Sequence, residues 1–103
     1  MHSNDAQMLV LTVLADGPRH GYAINTAIEA LTGTRLGPGS LYGALARLEA
    51  RHLIEPAGES PDGQEKHRTV RITAAGRETL RTELGQLARV VEAGLRALGG
   101  ASA

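Results

Sequence analysis

The amino-acid sequence predicts a mainly α-helical protein with one small β-hairpin, on three observations. Apolar residues recur at helical spacing in four segments. Gly17-Pro18, Gly33 and the run Gly37-Pro38-Gly39 separate the first three of them. Between the third and fourth, two short windows alternate apolar and polar residues around a turn-rich stretch, the pattern of paired strands.

The first segment, NDAQMLVLTVLADGP, is apolar around most of its circumference through Met8, Leu9, Leu11, Val13 and Leu14. Asn4 or Asp5 can accept from the free N–H groups at its start, and Gly17-Pro18 ends it. A helix so apolar needs cover on two sides, a second subunit included. The second segment, HGYAINTAIEALTG, sets Tyr22, Ile24, Ala27, Ile28 and Leu31 near one face, with His20 supporting the turn before it and Gly33 just past its end. In the third, Leu41, Leu45 and Leu48 form the packing face, and Ser40, Gly43, Ala44, Arg47 and Arg51 fall opposite. Ser40 is also placed to cap this helix. LIEPAG and HRTVRIT are the hairpin strands, and ESPDGQEK is their long tip. The last segment spaces Leu80, Leu84, Leu87, Val91, Leu95 and Leu98 by four, three, four, four and three residues. That is a long helix with a coiled-coil-like stripe, capped by Thr73 and ended by Gly99 and Gly100.

Composition narrows the chemistry. The chain has 103 residues, no cysteine, no tryptophan and no phenylalanine, so its core is aliphatic and thiolate chemistry is absent. Its four histidines show no metal-ligand spacing, and no nucleophile-base arrangement or phosphate-cradling glycine loop is present. The expectation is a non-enzyme without metal or cofactor. The longest apolar run at the start, Met8 to Leu11, is far too short to span a bilayer, and a cytoplasmic location is expected.

The order helix, helix, helix, hairpin, long helix is that of a winged helix-turn-helix, with residues 1–73 as the DNA-binding domain and 74–103 as a C-terminal dimerisation helix. A helix that enters a major groove about 12 Å wide needs small residues where backbone nears DNA and donors beside them. Ser40, Gly43, Arg47 and Arg51 supply these, with Tyr42 between the two faces and Lys66 and Arg68 on the wing. Eleven basic against eleven acidic residues give no net attraction, so local placement of charge decides. Few phosphate contacts then imply modest affinity and a shallow salt dependence.

HGYAI at 20–24, PGSLYGALARLEARHLIEP at 38–56 and ITAAGRETL at 72–80 together resemble the PadR family of bacterial transcriptional regulators. The resemblance covers nearly the whole chain and implies a homodimeric winged-helix repressor of the short subgroup, with one C-terminal dimerisation helix, that binds a pseudo-palindromic operator on double-stranded DNA. Its wing departs from the family pattern: Val70 and Arg71 stand where an aromatic residue precedes the Thr junction, and Asp62 and Glu65 sit at the tip. The dimer contact is expected from the stripe Leu80 to Leu98 against Leu9 and Val13 of the partner. A small apolar or phenolic effector, if one acts, would occupy the aliphatic cleft between subunits. The alternative function is a winged-helix module that binds protein and not DNA.

Overall fold

The computed structural model describes residues 3–58 and 68–99. Among them are helices α1 (Ser3–Leu14), α2 (Gly21–Thr32), α3 (Pro38–Ala50) and α4 (Ala74–Gly99), with strands β1 (Arg19–His20), β2 (Ile54–Pro56) and β3 (Thr69–Ile72). The strands form an antiparallel sheet in the order β1-β3-β2. The expected hairpin is therefore β2-β3, and β1 is a third strand that the sequence did not announce. Two residues are too few to show alternation; Arg19 and His20 become a strand only by pairing with Val70 and Thr69.

α1 lies at the centre, against α2, α3, α4 and β3. Its Val10, Leu11 and Leu14 are almost fully buried, so the cover that its apolar sequence demanded comes from its own chain. On α3 the buried residues are Leu41, Ala44 and Leu48, and Leu45 is half-buried. Ala44, expected on the outward face, is 2% exposed. Positions 41, 44 and 48 share one helical face, and a methyl side chain between two leucines suits the contact of α3 with α1. On α2 the buried set is Gly21, Ile24, Asn25 and Ile28. Tyr22 and Leu31, expected on that face, are 70% and 59% exposed. Tyr22 lies about 100° around the helix from Gly21 and so misses the core line.

The junctions hold the elements tightly. α3 ends in a Schellman turn: Leu53 N–H donates to the Leu48 carbonyl and His52 N–H to that of Glu49, with His52 at φ 60°. Thr73 Oγ1 accepts from Gly76 N–H and donates to the His52 carbonyl, so the expected cap also ties α4 to the end of α3. Gly76 lies against the Leu53 carbonyl so closely that a β-carbon there would overlap the oxygen and stand 2.7 Å from Ile72 Cγ1.

On α4 only Gly76 and Leu80 are buried. Beyond them Leu84, Leu87, Val91, Leu95 and Leu98 stand exposed, as does Val90. A helix of 26 residues is about 39 Å long.

Candidate nucleic-acid interface

The connection from α2 to α3 is set by a buried amide. Asn25 Nδ2 donates to the Leu36 carbonyl and its Oδ1 accepts from Leu36 N–H, both at 2.8 Å. This pairing satisfies both backbone groups of Leu36 inside the protein. α3 then starts with Gly37 as N-cap and Pro38 in the first turn, where a missing N–H costs nothing. Ser40 therefore is not the cap that the sequence suggested: it is the third helical residue and is exposed.

The face of α3 turned away from the core is built from Gly39, Gly43, Ala46 and Ala50, with Ser40 and Arg47 along one flank and Tyr42 and Glu49 along the other. Small residues leave the backbone approachable. Arg47 folds back over Gly43, where a β-carbon would lie 3.2 Å from its Nη1. It has no hydrogen-bond or ion-pair partner among the described residues.

Other candidate residues are engaged. Arg51 Nη1 donates to Oε1 of the buried Gln7 at 2.5 Å, which pins the end of α3 to α1. The Tyr42 ring rests on Gly21, its hydroxyl 3.0 Å from where a β-carbon would stand, so Gly21 at the start of α2 makes room for it; Tyr42 is still 41% exposed. Arg68 Nη2 pairs with Glu49 at 2.9 and 3.2 Å, linking the wing strand to α3. Arg71 pairs across the sheet with Glu55, its partner in register. Lys66 and the acidic residues Asp62 and Glu65 lie outside the described residues.

Of the residues expected at a subunit contact, Val13 and Leu80 are each 6% exposed in the single chain and belong to its own core. Leu9 is half-buried, and Leu84, Leu87, Val91, Leu95 and Leu98 are open. Stacking of the Arg35 guanidinium over Tyr22 at 5.2 Å, with Glu29 beside it, holds the outer side of α2.

Sequence reading missed Gln7, Asn25 and Glu49 as positioning residues. Gln7 and Asn25 carried a usable signal, since each is polar at a position whose helical neighbours, Leu11 and Leu14 or Ile24 and Ile28, are core residues. Glu49 carried none, because its partner lies 19 residues away across the wing. His20, as expected, supports the start of α2: its Nδ1 accepts from Ala23 N–H. Among the described residues no group of His, Asp and Glu is arranged to hold a metal, and no helix is long and apolar enough to cross a membrane.

Comparison with known proteins agrees with this geometry. Residues 10–82 match the model of the transcriptional regulator PadR-like family. An uncharacterized 37.1 kDa protein in transposon TN4556 of Streptomyces fradiae is 59% identical over 90 residues, covering 87% of the chain but 25% of that protein. The chain thus spans about a quarter of the length of this relative. A transcriptional regulator from Clostridium thermocellum superposes with a TM-score of 0.71 at 26% identity, over 85% of this chain and 84% of the other. A PadR family transcriptional regulator from Eggerthella lenta gives 0.71 at 25% identity, over 87% and 80%. The winged-helix DNA-binding protein F93 shares the fold, at a TM-score of 0.69 and 18% identity over 88% and 94%. With a winged helix-turn-helix, a small-residue α3 face and a family match across most of its length, this chain belongs to the PadR-like family of transcriptional regulators.

Proposed function

We propose that the chain is a sequence-specific DNA-binding transcriptional repressor that acts in the cytoplasm as a homodimer on a pseudo-palindromic operator. The observation that carries this reading is Arg47: it lies over the small outward face of α3 with no partner among the described residues, whereas Arg51 and Arg68 are each held by the fold. A guanidinium left free beside approachable backbone suits the edge of a guanine or a phosphate. The exposed apolar residues of α4 favour pairing with a second copy, because Leu84, Leu87, Val91, Leu95 and Leu98 continue the line of buried Leu80 away from the domain. Two α3 helices in such a dimer would enter successive major grooves about 34 Å apart. An apolar or phenolic effector would act from the aliphatic cleft between the subunits, where it can change the separation of the two α3 helices.

The test is a mobility shift against the DNA upstream of its own gene at low and moderate salt, with Arg47→Ala beside the parent. A base-reading Arg47 costs about 1–3 kcal/mol per half-site on substitution and relaxes preference at one base position. A phosphate-binding Arg47 weakens all duplexes alike and flattens the salt dependence by about one contact. Absence of binding to any duplex at low salt would remove this reading in favour of a protein-binding module, which the balance of eleven basic and eleven acidic residues favours.

A further inference from the structure

The Glu49–Arg68 ion pair joins α3 to the residue that leads into β3. Glu49 and Arg68 line the same small cleft, about 170 Å³, with Tyr42, Leu45, Ile54 and Val70 forming much of its wall. Their side chains are 38% and 28% exposed, so the pair sits at the rim, neither fully in water nor shut away from it. Largely apolar walls strengthen the field of any charge placed there. If α3 occupies a major groove and the wing meets the neighbouring minor groove, the strand that separates those grooves passes the gap between α3 and β3. The pair bridges that gap.

We propose that Glu49 is an internal restraint on DNA affinity: by holding Arg68 it keeps one guanidinium from the phosphate that crosses between recognition helix and wing, and it sets a carboxylate there instead. This inference rests on the DNA-binding reading above and concerns how strongly that interface binds. Both Glu49 oxygens approach the same Arg68 nitrogen, so a phosphate has to displace a charge-assisted contact to reach it. The charges on the adjoining strands, Arg71 and Glu55, pair with each other across the sheet. Sequence preference would then rest more on α3, because a restrained wing adds less to binding that is blind to sequence.

The experiment is a binding cycle on full-length protein with Glu49→Gln, Arg68→Gln and the double variant, over a salt series and on both operator and unrelated duplex. Glu49→Gln should bind both duplexes about threefold tighter or more at low salt, with a salt slope steeper by about one. Arg68→Gln should bind more weakly than the parent, and in its background Glu49→Gln should bring a much smaller gain. A Glu49→Gln protein no tighter than the parent overturns the proposal, as does a gain of the same size with and without Arg68, which would mean simple repulsion by Glu49. Glu49→Ala replaces the glutamine variant if thermal melting shows that variant unfolded. Failure of the parent to bind any duplex at low salt would sink the DNA-binding reading and this inference together, whereas a parent that binds beside an unimproved Glu49→Gln sinks this inference alone.

Discussion

Gly76 and His52 show how single backbone positions hold the wing on the helices. A methyl group at Gly76 collides with the Leu53 carbonyl, which also accepts from Thr73 N–H, so the overlap falls on rigid backbone. Gly76→Ala gains about 1 kcal/mol of helix propensity but should lose about 2–3 kcal/mol or more to overpacking, a net loss that urea denaturation will read as a lower midpoint. His52 presents the opposite case. Its φ of 60° costs a residue with a side chain about 1–2 kcal/mol, against the roughly 0.5–1 kcal/mol of chain entropy that glycine loses on ordering. His52→Gly should therefore raise stability by roughly 0.5–1 kcal/mol by the same measurement, and a lower midpoint would show that the exposed imidazole makes a contact worth more than the strain.

At the scale of elements, one side chain ties α2 to the turn before α3. Asn25 supplies both partners of Leu36, and Leu36 stands just before the turn that launches α3. Asn25→Ala leaves an N–H and a carbonyl without their partners in a half-buried setting, at about 1–3 kcal/mol for a group left unsatisfied. Asn25→Asp keeps the acceptor for Leu36 N–H but sets a carboxylate against the Leu36 carbonyl, and it should be no better tolerated. Chemical denaturation of both variants checks this. A loss below about 0.5 kcal/mol for Asn25→Ala would mean that water replaces the amide and that α3 is positioned by Leu41, Ala44 and Leu48 alone. Gln7 and Arg51 do the matching work at the other end of α3, so the helix is anchored at both ends to α2 and α1 while its small-residue face stays open.

At the scale of the molecule, α4 carries the question of assembly. Its exposed apolar residues extend past the domain, a surface that a monomer of this size has little means to cover. Leu87→Glu together with Val91→Glu, both outside the core, should leave the domain folded and prevent the proposed dimer. Light scattering at micromolar concentration reads the loss directly. Thermal melting gives a second view: the parent should melt higher as protein concentration rises, and the double variant should not. A parent that is monomeric and melts independently of concentration would leave α4 for a different partner.

Four helices, the hairpin and the cap at Thr73 were legible in the sequence because each is a local matter of spacing, turn residues and side-chain donors within a few positions. The split of α3 into a packing side and an open side was legible in outline, since Leu41 and Leu48 recur at helical spacing. Which way Ala44 and Tyr22 turn was not legible, because alanine and tyrosine are at home on either face and only the packing of α2 and α3 against α1 assigns them. Nor was β1, which exists only through Val70 and Thr69 some fifty residues on. The same holds for the candidate interface. Spacing placed both Arg47 and Arg51 on the outward side of α3 and favoured Arg47 for the DNA contact, and the tertiary structure adds a reason: among the described residues Gln7, 44 residues earlier in the chain, accepts from Arg51 and Glu49 from Arg68, while Arg47 has no such partner. A sequence states how many charges a helix carries, but which of them face solvent unpaired depends on groups brought near only by folding.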